Sequence, residues 1–83
     1  MKTLGEVANK VSEELNKKRR DSKKGWYAYI NIIKFQDRYL DIRAKGYGLW
    51  LQRLIINGID HGFNADSVSE YTINIEQAVE YHL

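Results

Sequence analysis

The chain has 83 residues, no cysteine, no proline and a formal net charge of +2. A chain of this length builds one small hydrophobic core, so we expect a single small domain over residues 1–83. The missing cysteine excludes a disulfide framework, a thiolate metal site and a thiol nucleophile. No apolar run approaches the roughly 20 residues of a membrane span, and the N-terminus lacks the apolar region of a signal peptide, which predicts a cytoplasmic protein.

The first predicted element is an amphipathic N-terminal helix. Thr3 and Glu6 have capping-box spacing, in which the threonine hydroxyl accepts a hydrogen bond from the Glu6 amide. The apolar residues that follow at helical spacing are Leu4, Val7, Ala8, Val11 and Leu15. We expect this apolar stripe to lie on a sheet.

A basic run, KKRRDSKK, follows the helix. It is either the solvated end of the helix and a loop, or a contact surface for phosphate groups, since clustered cations gain from counterion release on nucleic acid. The candidate nucleic-acid contacts are Lys17, Lys18, Arg19, Arg20, Lys23 and Lys24.

The β-branched and aromatic stretch from Trp26 to Ile56 predicts three antiparallel strands. In the first strand we expect one face to lie against the helices and to carry Trp26, Ala28, Ile30 and Ile32. The opposite face then carries the odd-numbered residues, which are Tyr27, Tyr29, Asn31, Ile33 and Phe35. Gln36 and Asp37 are expected to form the turn into the second strand.

The second strand alternates cleanly. Its apolar face has Leu40, Ile42 and Ala44, and its polar face has Tyr39, Asp41 and Arg43. The third strand is ambiguous over residues 47–56, because the set Leu49, Leu51, Arg53 and Ile55 competes with the set Trp50, Gln52, Leu54 and Ile56 for the inward face.

The last third of the chain predicts a hairpin and a helix. Asn57 and Gly58 form a strong hairpin signal, which predicts a fourth short strand from Ile59 to His61. Residues 67–73 fit either a helical turn capped by Ser67 or a short edge strand. Asn74 is the expected cap of a short C-terminal helix from Ile75 to His82. The fold class is therefore α+β, with an N-terminal helix, a sheet of three to four antiparallel strands and a short C-terminal helix.

Charge is unevenly distributed along the chain. Residues 17–24 carry six bases and one acid, residues 25–58 carry five bases and two acids, and residues 59–83 carry five acids and no base. A mild net charge therefore hides a basic middle and an acidic end. Such an arrangement either orients the molecule towards charged partners or is neutralised within the fold.

No catalytic motif is present. A serine triad needs a histidine base, and the only histidines are His61 beside a tight turn and His82 near the end of the sequence. Adjacent residues of a strand point to opposite faces, so Asp60 and His61 are a poor dyad or metal pair. We predict a non-enzymatic protein with no catalytic, cofactor or metal site.

Three binding hypotheses remain. In the first, a protein partner docks on the uncovered sheet face through Tyr27, Tyr29, Tyr39, Arg43, Tyr47 and Arg53, because tyrosine and arginine are enriched at interface hot spots. In the second, the basic run binds nucleic acid and sheet aromatics stack on bases. In the third, the aromatic face is a homodimer interface.

The layout of a capped helix, three or four antiparallel strands and a second helix, with polarised charge, resembles the small accessory inhibitors of phages and mobile elements, such as anti-CRISPR proteins. The resemblance is one of architecture over the whole chain and carries no motif. It implies a stoichiometric inhibitor, acting in the host cell cytosol, that binds a host protein or ribonucleoprotein complex.

Overall fold

The computed structural model describes residues 3–21, 24–63 and 68–83, with the backbone alone over 68–73. In chain order the elements are α1 (Leu4–Asp21), β1 (Gly25–Phe35), β2 (Arg38–Tyr47), β3 (Trp50–Ile56), β4 (Ile59–Asp60) and α2 (Val68–Tyr81). The predicted α+β fold, with two helices flanking an antiparallel sheet in the sequence, is confirmed.

The four strands form one sheet in the order β1-β2-β3-β4, and every neighbouring pair is antiparallel. Helix α1 packs against α2 and also contacts β1 and β2. The helices and one sheet face share a single core, whose buried members are Val7, Ala8, Val11, Leu15, Ile33, Phe35, Leu40, Ile42, Ala44, Leu51, Leu54, Ile56, Phe63, Ile75, Ala78 and Val79. The opposite sheet face carries the exposed side chains of the same strands, and we call it the outer face.

Helix α1 forms as its sequence predicts. The Glu6 amide donates to the Thr3 hydroxyl oxygen at 3.2 Å, which satisfies one of the free N–H groups of the first turn. The stripe Val7, Ala8, Val11 and Leu15 is buried, together with Ser12. Lys18, Arg19 and Arg20 lie in the last turn, where cations offset the negative end of the helix dipole.

A β-bulge in β1 changes which residues face the core. Tyr29 pairs with Arg43 and Asn31 pairs with Ile42, so one extra residue lies between these pairs. The inward set therefore moves from even to odd numbers: Ile33 is 3% exposed, whereas Ile32 is 52% exposed. The predictions that Ile32 faces the helices and that Ile33 and Phe35 lie on the opposite face are wrong for this reason.

A second bulge resolves the ambiguity of β3. Lys45 pairs with Arg53 and Gly46 pairs with Leu51, which leaves Gln52 as the extra residue. The buried set is consequently Leu51, Leu54 and Ile56. Neither of the two predicted alternating sets is correct over its whole length, because the bulge switches the strand from one set to the other.

Strand β2 has the predicted alternation, with Leu40, Ile42 and Ala44 buried. Gly46 continues this inner row, opposite Trp26 of β1. The Trp26 indole is partly buried against the core, and its Nε1 donates to the Gly48 carbonyl oxygen at 3.0 Å. Trp26 thereby closes the end of the core at the β2–β3 turn.

The predicted turns at residues 36–37 and 57–58 are both present, and each has positive φ at its two central residues. At 57–58 the backbone angles are 52° for Asn57 and 80° for Gly58. The Asn57 side chain also accepts a hydrogen bond from the Asp41 amide at 2.8 Å. Strand β4 is limited to Ile59–Asp60, one residue shorter than predicted.

Helix α2 is longer than the predicted C-terminal helix. It begins at Val68, so Asn74 lies inside the helix and is not its cap, and the edge-strand alternative for residues 71–73 is wrong. The proposed cap Ser67 lies outside the described residues. Ile75, Ala78 and Val79 are buried, as their spacing predicts. Among the described helices, none is long and apolar enough to cross a membrane.

Candidate binding face

The outer face is unusually rich in exposed aromatic side chains. Its tyrosines and tryptophan are about half exposed or more: Tyr27, Tyr29, Tyr39, Tyr47 and Trp50. Basic residues of the same strands alternate with them: Lys34, Arg43, Lys45 and Arg53. All six residues that the sequence predicts for partner binding lie on this face, and Trp50, Lys34 and Lys45 extend it.

Register places the aromatic and basic side chains beside each other. Tyr29 lies opposite Arg43, and the Arg43 guanidinium carbon is 4.9 Å from the centroid of the Tyr29 ring. Lys34 lies opposite Tyr39, with its Nζ 5.9 Å from that ring centroid. Both distances fit cation–π contacts, in which the ring holds the cation against the sheet.

Arg43 is also held by an acid on its own strand. Its Nε donates to Asp41 Oδ1 at 3.3 Å and its Nη2 to Asp41 Oδ2 at 3.4 Å. The pKa of Arg43 is raised, chiefly by the hydrogen bond to Asp41 and then by a hydrogen bond with Tyr27. The guanidinium is therefore permanently charged and is held by Asp41 and Tyr29.

A second ion pair lies at the β3–β4 edge. Arg53 Nη1 donates to Asp60 Oδ2, and the Gly62 amide donates to Asp60 Oδ1 at 2.8 Å. The pKa of Asp60 is lowered, first by the Gly62 amide and then by Arg53. Lys45 and Gln52 complete a surface recess of about 370 Å³ around this pair. Both described acids on or beside the outer face, Asp41 and Asp60, are thus paired with an arginine.

The basic end of α1 lies beside the β2–β3 turn. Arg19 Nη1 donates to the Leu49 carbonyl oxygen at 3.0 Å, and the Gly48 amide donates to the Lys24 carbonyl oxygen at 3.2 Å. Leu49 is exposed and lies between Tyr47 and Trp50 in the sequence. Arg19 and Lys24 of the basic run therefore lie beside the aromatic end of the outer face.

A surface recess of about 420 Å³ opens on the last turns of α1, lined by Glu13, Asn16, Lys17, Arg19 and Arg20. The Asn16 Oδ1 atom is buried there without a hydrogen-bond partner among the described residues. Lys17 pairs with Glu14 at 3.6 Å. Of the six predicted nucleic-acid contacts, Lys23 lies outside the described residues.

Sequence reasoning missed one pair entirely. His61, just after β4, and His82, just after α2, approach each other with 2.8 Å between their Nε2 atoms. The Tyr81 ring packs edge-on against both imidazoles. The pKa of His82 is lowered, first by burial and then by the charge of His61. The two residues are 21 positions apart on different elements, so no local pattern could have joined them.

Across residues 3–21, 24–63 and the described side chains of 74–83, no group of three or more histidine, cysteine or acidic side chains is arranged to hold a metal ion. Comparison of the chain with protein-family models, with curated protein sequences and with solved structures finds no match. Any function assigned to the protein therefore has to be argued from its own exposed side chains.

Proposed function

We propose that this protein is a non-enzymatic, stoichiometric inhibitor that docks its outer face on an acidic surface of a host protein complex. The observation that carries the proposal is the outer face itself, the sheet surface opposite the one that α1 and α2 cover, which exposes five aromatic residues among four basic ones. Aromatic and arginine side chains supply most of the binding energy in protein interfaces. The architecture of small phage inhibitors such as anti-CRISPR proteins supports the same proposal.

The charge of the outer face supports an acidic partner. Arg43 and Arg53 each have a carboxylate neighbour, while Lys34 and Lys45 add positive charge that no acid of this face matches. An acidic partner gains from this field during encounter and in the complex. A twofold homodimer through the same face would place like charges near each other, which counts against the homodimer hypothesis.

Arg43 is the predicted anchor. Its contacts with Tyr29 and Asp41 reduce the side-chain entropy that binding must remove, and they leave the ring of Tyr29 about half exposed for contact. An arginine that is already held in position beside an aromatic ring can form an ion pair with a carboxylate of the partner. In this proposal the protein acts in the cytosol of the host cell, where reducing conditions suit a chain without cysteine.

The test is capture of the partner from host lysate treated with nuclease, followed by affinity measurement with the purified partner. The double variant Tyr29→Ala/Arg43→Ala is compared with Tyr81→Ala/Lys10→Ala, which removes a tyrosine and a basic side chain from exposed helical positions. We expect the first variant to fold and to bind at least about tenfold more weakly, and the second to bind like the parent. Equal binding by both variants would remove the outer face as the docking surface.

The contact between Arg19 and Leu49 favours one second candidate, single-stranded nucleic acid, because it sets phosphate-binding charges beside Tyr47 and Trp50. Direct titration with random oligonucleotides separates the candidates. A nucleic-acid ligand predicts a fall in affinity with salt of about 0.7 log units per log unit for each neutralised phosphate, and loss on changing Lys17, Lys18, Arg19 and Arg20 to glutamine. Absence of binding at low salt ends this candidate.

A further inference from the structure

The two histidines of this chain, His61 and His82, are its only imidazoles, and the fold brings them together. Their Nε2 atoms are 2.8 Å apart, whereas the ring centroids are 4.9 Å apart. The two nitrogens are thus the near ends of the two rings. A hydrogen bond at this separation requires one ring to donate its Nε2–H to the bare Nε2 of the other ring.

We propose that His61 and His82 form a binding site for one divalent transition-metal ion of tetragonal preference, copper(II) in the first place and nickel(II) in the second. On binding, the proton between the rings moves to the Nδ1 atom of the ring that donated it, so that each neutral imidazole offers its Nε2 lone pair to the metal. Imidazole is a ligand that both ions favour, and copper(II) binds a given set of nitrogen ligands most tightly among the divalent first-row metals.

The separation of the two nitrogens decides which coordination geometry the pair fits. With metal–nitrogen distances of about 2.0 Å, two ligands at right angles are about 2.8 Å apart, whereas two tetrahedral ligands are about 3.3 Å apart. The 2.8 Å between the nitrogens is the length of their hydrogen bond and equals the spacing of adjacent corners of a square, so a square site keeps this separation while the rings turn towards the metal. A tetrahedral zinc(II) ion would require the two rings to move apart.

The surroundings leave the remaining corners to solvent. Both histidines are partly exposed, and no third histidine, cysteine or acid joins them among the described residues. The nearby Asp60 carboxylate already accepts from Arg53 and from the Gly62 amide. A recess of about 300 Å³ beside His61, lined also by Asn74, Gln77 and Tyr81, gives water access to the open positions.

The metal would connect two separate parts of the fold. His61 follows the shortest strand, β4, and His82 follows the C-terminal end of α2. The unfolded chain does not hold these residues together, so an ion bound to both stabilises the native state. The inference is independent of what binds the outer face.

The test is titration of the metal-free full-length protein with copper(II), followed by calorimetry and electron paramagnetic resonance. We expect one ion per chain with two nitrogen ligands, and at least a tenfold loss of affinity in His61→Gln and in His82→Gln. Glutamine keeps a side-chain hydrogen-bonding group but is a poor copper ligand. Asn74→Ala changes the same recess without removing an imidazole, and should bind copper as the parent does.

A second measurement uses the parent protein alone. Bound copper(II) broadens nuclear magnetic resonance signals near it. We expect selective loss of the amide signals of residues 61–63 and 79–83, and of residues 52–54, because the Leu54 and Gln52 carbonyl oxygens accept from the His61 and Phe63 amides. Broadening that spares these residues, an unchanged affinity in the His61→Gln/His82→Gln variant, or no binding by the parent would each overturn the proposal. Zinc(II) binding more tightly than copper(II) would overturn the tetragonal assignment.

Discussion

The indole of Trp26 occupies the space that a side chain on Gly46 would need. A Cβ atom built on Gly46 would lie 2.5 Å from Trp26 Cζ2 and 2.6 Å from the Trp50 carbonyl oxygen. The two residues are directly opposite each other on β1 and β2. Gly46 is thus needed because any side chain there would block the close approach of the Trp26 ring to the backbone of β2. The ring in turn covers this part of the backbone.

Gly46→Ala should therefore destabilise the protein by about 1–3 kcal/mol, because the added methyl group pushes against the indole and the backbone of β3. Equilibrium denaturation with urea measures the change in the free energy of unfolding. Gly25→Ala is the matched control, because its nearest neighbour, Tyr47 Cδ2, is 3.8 Å away, an ordinary contact distance. Equal losses at the two glycines would contradict the overpacking argument.

The bulge in β1 predicts that two neighbouring isoleucines contribute very differently to the free energy of unfolding. Ile33→Ala should lower the free energy of unfolding by about 2–5 kcal/mol, since it leaves a cavity in the core. Ile32→Ala removes an exposed side chain and should change it by about 0.5 kcal/mol. Urea denaturation of the two variants decides the register, because an unbulged strand would reverse the order.

These isoleucines also show how far strand alternation predicts which side chains face the core. It places Trp26, Ala28 and Ile30 correctly and fails at Ile32, where one extra residue reverses the faces. Ile30, Ile32 and Ile33 are all apolar, and Asn31 lies outward in either register, so these residues do not show where the faces change. In β3 the buried residues Leu51, Leu54 and Ile56 are spaced by three residues and then by two, and the spacing of three marks the bulge in the sequence.

Alternation predicted which residues lie on the outer face more completely than it predicted the core. Tyr27, Tyr29, Tyr39 and Arg43 lie before the β1 bulge or on the regular β2, where alternation holds. The spacing of residues along one helix or strand could not predict the Arg19–Leu49 contact or the His61–His82 pair, because each contact depends on how separate elements pack. The start of α2 was misplaced because Asn74 and Gln77 have cap spacing inside a helix that begins earlier.

Deleting single residues tests the β1 bulge more directly. Removal of Asn31 leaves Ile30 opposite Ile42 and restores regular alternation, so we expect a loss of about 1 kcal/mol or less. Removal of Ile30 instead places the Asn31 amide in the inner row, which should cost more than about 2 kcal/mol. Thermal unfolding monitored by circular dichroism compares the two; a larger loss for the Asn31 deletion would contradict the assignment.

The turn between β1 and β2 offers a route to higher stability. Gln36 and Asp37 have φ angles of 50° and 63°, a region that side-chain-bearing residues adopt at a cost. Replacing them by Asn-Gly, the pair that already forms the β3–β4 turn, should stabilise the protein by about 1 kcal/mol. For a chain of this size the melting temperature should rise by about 4–8 °C.

The reverse change is the control for that turn. Gly58→Asp places in the β3–β4 turn the residue type found at position 37. The new aspartate would still have to adopt the φ angle of 80° that Gly58 has. We expect a lower melting temperature for Gly58→Asp. Equal melting temperatures for the parent and both variants would show that the φ angles of these turns do not limit stability.

Asn57 has two roles that substitution can separate. Its φ angle is 52°, and its Oδ1 accepts the Asp41 amide, which ties the β3–β4 turn to β2. Asn57→Gly keeps the backbone freedom and loses the acceptor, so we expect a loss of about 1 kcal/mol. Asn57→Ala loses both and should cost about 2 kcal/mol. Urea denaturation gives the order; a smaller loss for alanine than for glycine would mean that the turn does not require the positive φ angle.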